Sequence, residues 1–138
     1  MGKRRKAREI VLQALYEAEF SDRPWDDIMD DQIDRRSPSE ETARHARALF
    51  LKTMENLSEL DGRIESCLEN WDINRLALVD KNILRFALTE LLYFGEIPSK
   101  VIINEAIEVA HRYSSPDAGK FINGLLDRFA RECRKGID

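Results

Sequence analysis

Apolar residues recur at three- and four-residue intervals along almost the whole chain, a period that leaves room for little besides α-helix. Ala7, Ile10, Val11, Ala14, Leu15 and Ala18 trace one helical face. Ala43, Ala46, Leu49, Phe50, Met54 and Leu57 trace another, and Leu60, Ile64, Leu68 and Trp71 a third. The second half carries the stronger pattern: Leu76, Val79, Ile83, Leu84, Ala87, Leu88, Leu91 and Leu92 describe a long apolar helix that Gly95 and Pro98 end. Ile102, Ile103, Ala106, Ile107, Val109 and Ala110 follow, then Phe121, Ile122, Leu125, Leu126 and Phe129. Period-two alternation is not sustained, and Asp61-Gly62 and Asn123-Gly124, which elsewhere would mark hairpin turns, fall inside helical patterns. The expectation is an all-α chain of about seven helices packed as two helical subdomains, over about residues 1–70 and 71–138, divided at the polar stretch Asn70 to Asn74.

Helix starts are signalled by short polar motifs. Ser37-Pro38-Ser39-Glu40 predicts a capped start in which Ser37 satisfies orphan amides, Pro38 sits in the first turn and Glu40 reaches back. Ser58-x-x-Asp61 predicts a second cap, and Ser99 and Ser115-Pro116 open the last two helices. Pro24 opens a short acidic helix around Trp25 to Ile33.

A chain of 138 residues is of single-domain size and buries roughly two thirds of its unfolded surface, so its core needs neither disulfide nor metal. No apolar run approaches the roughly 18 residues that span a bilayer. The basic start, Met1 to Lys6, resembles the opening of a signal peptide, but Glu9, Gln13, Glu17 and Glu19 interrupt the apolar segment that should follow. Cys67 and Cys133 lack CxxC spacing and read as reduced thiols of a cytoplasmic protein. The net charge of −4 argues against nucleic acid as a partner until its distribution is considered. Lys3, Arg4, Arg5, Lys6 and Arg8 crowd the first eight residues, whereas Asp22, Asp26, Asp27, Asp30, Asp31 and Asp34 form a separate acidic block.

The parts that catalysis requires are missing. Gly119 and Gly124 have the glycine spacing of a P-loop, but Leu125-Leu126 stand where the lysine and hydroxyl belong. Neither GxGxxG nor GxSxG occurs. Glu108-x-x-His111 has the spacing of a di-iron half-site, yet His45 follows Glu41 at the wrong spacing for the second half. No enzyme, metal site or cofactor is expected.

RNA is the better-supported partner. Cations early in a helix oppose the macrodipole, so a basic cluster running into the first helix implies a use for the charge. Tyr16 lies one residue beyond that helix's apolar stripe, where a ring can stack on a base, though a half-buried boundary tyrosine fits as well. Asp117 stands beside Lys120 at the start of the last helix, where a carboxylate caps well. Phe121 also fits the last helix's apolar stripe.

Several segments resemble one family across essentially the whole chain. They are Arg4-Arg5-Lys6-Ala7-Arg8-Glu9 with Gln13-Ala14-Leu15-Tyr16, then Arg75-Leu76-x-x-Val79-Asp80-Lys81-x-Ile83-Leu84-Arg85 and Ile97-Pro98-x-Lys100-Val101. Ile103-Asn104-Glu105-Ala106-Ile107-Glu108 and Lys120-Phe121-Ile122-Asn123-Gly124-Leu125-Leu126-Asp127 complete the set, while the acidic stretch between Ser21 and Arg36 has no match. Together these resemble the NusB family of bacterial transcription factors. The resemblance implies two helical subdomains and binding of boxA-type single-stranded RNA together with NusE, a ribosomal small-subunit protein. It also implies a larger complex with other Nus factors and RNA polymerase, supporting processive antitermination on ribosomal RNA operons. By position it implies an RNA face of Lys3, Arg4, Arg5, Lys6, Arg8, Tyr16, Lys120 and Phe121, and a NusE face near Leu76 and Asp80.

Two alternatives stay open. NusB-like domains also form the N-terminal part of ribosomal RNA cytosine methyltransferases, which would make this chain a fragment without the catalytic domain. A purely protein-binding helical adaptor is the other. Salt dependence separates them: about five cations on single-stranded phosphates give a log–log slope near −3.5, and a protein-only adaptor has no RNA affinity to titrate.

Overall fold

The computed structural model describes residues 2–68 and 72–135, with side chains from Arg4 onward. Among these residues the chain forms seven α-helices: α1 (Gly2–Phe20), α2 (Trp25–Arg36), α3 (Glu40–Glu55), α4 (Leu57–Ser66), α5 (Leu78–Tyr93), α6 (Ser99–Tyr113) and α7 (Ala118–Cys133). A short 3-10 turn, Ile73–Arg75, precedes α5, its first amides met by Asp72, whose carboxylate accepts from the Asn74 N–H. The all-α expectation holds in type and number.

α5 is the central element. Every residue from Asn82 to Leu91 is buried, including Asn82, Arg85, Thr89 and Glu90. A helix enclosed on all sides can keep polar side chains only where each finds a partner. Arg85 grips Asp61 of α4 through two hydrogen bonds of 2.7 Å and takes Asn82 Oδ1 at 2.9 Å. Thr53 of α3 donates to Thr89. Glu90 receives Arg8 of α1 in a bidentate pair, both bonds 2.8 Å, with neither side chain exposed. α1 thus packs against α3, α2 and α5, while α6 and α7 cover the other side of α5. The buried apolar residues form one continuous core.

The end of α5 is closed from a distance. Helix C-termini leave carbonyls without intrahelical donors, and here Arg134, just beyond α7, supplies them. Its Nε donates to Leu91 O at 2.9 Å, and its Nη2 to Glu90 O and Phe94 O at 3.1 and 3.0 Å. Its Nη1 reaches Ile97 O in the following turn.

Three of the helix starts differ from expectation. Ser37 does not cap α3: its N–H closes α2 on Ile33 O at φ 44°, so it is spent on the preceding helix. Ser39 caps α3 instead, its hydroxyl oxygen accepting from the Thr42 N–H at 3.2 Å. The Ser58-x-x-Asp61 cap does not form, because α4 starts directly after Asn56 and Asp61 turns to Arg85. Asp117 occupies the residue before α7 but makes no side-chain capping bond.

The buried Arg8–Glu90 pair generates a prediction. Breaking such a pair by removing one partner leaves an uncompensated charge and costs about 3–5 kcal/mol, so Arg8→Ala lowers the stability measured by urea unfolding by that order. Burial by itself pushes the Glu90 carboxyl up, but hydrogen bonds and charge from His45 and Arg8 prevail and hold it below its ordinary value of 4.5. A depressed folded-state value contributes stability above about pH 4.5 and loses it as the pH falls through the folded value. The stability difference between wild type and Glu90→Gln should therefore be full at pH 7 and narrow steadily below pH 4.5.

Candidate nucleic-acid interface

The cations that open the chain lie on α1, where Arg4 and Arg8 share a face while Arg5 and Lys6 point elsewhere. Arg4 is exposed, Arg5 and Lys6 are half-buried, and Arg8 is buried. Arg8 lies on the inward row with Val11, Leu12 and Leu15, where Glu90 neutralises it. Its expected place on the RNA face is therefore corrected: a guanidinium enclosed between α1 and α5 cannot meet a phosphate. His45 Nε2 stands 3.5 Å from Glu90 Oε2, at the outer limit of a hydrogen bond. The side chain of Lys3 lies outside the described residues.

Arg5 turns to α6. Its Nε and Nη2 donate to the two oxygens of Glu105 at 2.8 and 3.0 Å, which raises the guanidinium's pKa through hydrogen bonding and then charge. One turn on, the nearly buried carboxylate of Glu9 binds two arginines, Arg36 of α2 at 3.5 Å and Arg112 of α6 at 3.1 Å. Arg112 remains two-thirds exposed and lies 5.6 Å from the Tyr113 ring. Further along α1, Tyr16 is half exposed and meets Phe20 edge-on at 5.2 Å, and Phe20 is 71% exposed.

The last turn of α6 carries this surface to α7. A Cβ on Gly119 would stand 2.8 Å from His111 Nε2, so glycine there lets the first turn of α7 pack against α6. Lys120 is exposed next to it, Asp117 is exposed one turn earlier, and Phe121 is half-buried against the core. The contacts Glu105–Arg5 and Arg112–Glu9 thus tie α1 to α6, and the start of α7 lies against His111 of the same helix. Arg36, Arg112 and Phe20 were not singled out from sequence. Arg112-Tyr113 at the end of a helix, and an aromatic four residues after Tyr16, were the signals available.

Asp80 and Leu76 lie elsewhere. Asp80 is in the first turn of α5, where it suits the helix dipole, and accepts a hydrogen bond from the Ser114 hydroxyl after α6. Leu76 follows the 3-10 turn, half-buried against the core.

Gly119 and Gly124 are both within α7, so their backbone is helix rather than phosphate-cradling loop. Glu108 and His111 face solvent with 3.9 Å between Oε1 and Nδ1, and no group of three potential ligands is found among the described residues. Among the described residues no helix is long and apolar enough to cross a membrane.

Known proteins share both the sequence and this arrangement. The model of the NusB family matches residues 5–131. A transcription antitermination protein NusB from Salinibacter ruber is 42% identical over 130 residues, covering 92% of this chain and 80% of the relative. The solved structure of Thermotoga maritima NusB superposes with a TM-score of 0.87 at 42% identity, covering 94% of this chain and 91% of that one. A structure of the antitermination factors NusB and NusE in complex with double-stranded RNA has the same fold, with a TM-score of 0.86 at 22% identity over 96% of this chain and 98% of that one. With the family model spanning most of its length and close relatives covered nearly end to end, this chain belongs to the NusB family of transcription antitermination proteins.

Proposed function

We propose that this protein binds boxA-type single-stranded RNA together with NusE in the cytoplasm, within a complex of other Nus factors and RNA polymerase that keeps transcription processive, notably on ribosomal RNA operons. The observation that carries the reading is the grouping of cations and an unburied tyrosine on elements joined through α6: Arg4, Arg5, Lys6 and Tyr16 on α1, Lys120 on α7. Phosphates are held by the cations and bases stack on the ring, the usual division of labour in single-strand recognition. The related structure of NusB and NusE in complex with double-stranded RNA supports NusE and RNA as the classes of partner. In this reading the part of the chain up to about residue 70 supplies the α1 contacts, and the part beyond it supplies Lys120, the edge of Phe121 and a NusE surface near Leu76 and Asp80. Arg8 acts at one remove, by holding α1 in register against α5. Arg112 joins the phosphate contacts, tempered by its bond to Glu9.

Fluorescence anisotropy with a boxA-like RNA and a scrambled control, with and without NusE, tests the reading. Binding should prefer boxA, strengthen with NusE, and fall with salt at a slope near −3.5 for about five phosphate contacts. Tyr16→Ala should weaken binding by about 1–3 kcal/mol, the usual value of one stacked base. Equal, weak binding of both RNAs, unmoved by NusE, would sink the reading.

Asp117→Asn should tighten RNA binding several-fold by removing a carboxylate from beside Lys120. Because Asp117 makes no capping bond, the urea midpoint should correspond to a stability change within about 0.5 kcal/mol. Unchanged or weaker affinity would place the RNA away from the start of α7.

A further inference from the structure

A groove of about 820 Å³ runs between the start of α6 and the end of α7, at the far end of α7 from Lys120. Exposed Lys100, Arg131 and Lys135 line it, with Asp127 as its only carboxylate. Asp127 is paired with Arg131 one turn along and offsets one of these charges, leaving the groove net positive. Buried Arg134 forms the floor, and its donors are committed to backbone carbonyls at the end of α5. It adds positive charge without being available as a contact. Apart from Ile103, the lining has no large aliphatic and no aromatic side chain. A docked protein segment usually needs such anchors; a chain of phosphates does not.

The groove is continuous with the surface described above. Lys120, Asn123, Asp127 and Arg131 follow one another at three- and four-residue steps, so they share one stripe along α7, and Lys135 lies just past its end. At 1.5 Å per residue, Lys120 and Arg131 are about 16 Å apart along that stripe. Asn104 and Asn123, both exposed, stand between them with amide groups that can bond sugar or phosphate oxygens.

Resting on the RNA-binding reading, we infer that the RNA track does not end at Lys120 but continues along the α6–α7 groove, where Lys100, Arg131 and Lys135 hold the phosphates of nucleotides flanking the recognised element. These contacts are to the RNA backbone, which fixes register and carries no sequence information directly. The protein would accordingly recognise a short element but grip a longer RNA.

The test compares a boxA-like RNA with the same RNA extended by about eight nucleotides at one end or the other, within the ~4–16 that a single-strand groove covers. Anisotropy is followed across a salt series with the whole chain and NusE present. One extension should bind more tightly than the short RNA, with a slope steeper by about 2 for three further phosphate contacts. The triple variant Lys100→Gln, Arg131→Gln, Lys135→Gln should lose that increment while binding the short RNA within about threefold of wild type, since exposed charges so far away are largely screened. If neither extension adds affinity, or the triple variant keeps the gain, the track ends at Lys120 and the inference fails although the short RNA still binds. A polyglutamate peptide that binds wild type but not the triple variant, with no gain from longer RNA, would reassign the groove to an acidic protein segment. Failure of even the short RNA to bind wild type would overturn the RNA reading itself, and this inference with it.

Discussion

Arg8 and Glu90 meet between α1 and α5 with neither side chain in contact with water, and most of the fold's orientation depends on that meeting. Two charges out of water are costly unless geometry and hydrogen bonding compensate, and a pair displaced by one residue would leave both uncompensated. The bidentate pair therefore permits only one rotation of α1 on the central helix. With Arg8 inward, Arg5 and Glu9 reach α6, Arg4 stays exposed near the start of the same face, and Tyr16 and Phe20 remain exposed further along. The face offered to RNA is set by an ion pair that never touches it.

α5 shows the same logic on a larger scale. A helix buried on every side can be assembled from aliphatic residues alone, yet this one carries Asn82, Arg85, Thr89 and Glu90 in its buried stretch. Each of the charged ones is answered by a different helix, Arg85 by α4 and Glu90 by α1, so the polar positions specify which helix lies where. Arg134 does the complementary work at the end, bringing the close of α7 to the carbonyls where α5 stops.

An acidic protein can bind a polyanion when its charges are segregated. The aspartates of α2 pair with Arg23 and Arg47 or suit the helix N-terminus, and they lie on the layer that covers one side of α1. The cations of α1, the end of α6 and the stripe of α7 are set apart from that block. Glu9 and Glu105 sit under the basic surface rather than on it, where they hold Arg5 and Arg112 in position at the cost of part of their charge.

The sequence by itself determined the helices, their apolar faces and the resemblance to a family, because each of those is written in residues a few positions apart. The period of Ile10 to Ala18, or of Ile83 to Leu92, needs no knowledge of the rest of the chain. Arg8 was read as a surface cation because its partner is 82 residues away, and nothing local distinguishes it from Arg4. Asp61 was read as a cap for the same reason, its guanidinium partner being 24 residues on. The cap of α3 falls on Ser39 rather than on the expected Ser37 because the preceding helix has already claimed Ser37. Charged side chains have strong local uses and stronger distant ones, and only the tertiary structure, by bringing partners together and excluding water, decided which use each would have.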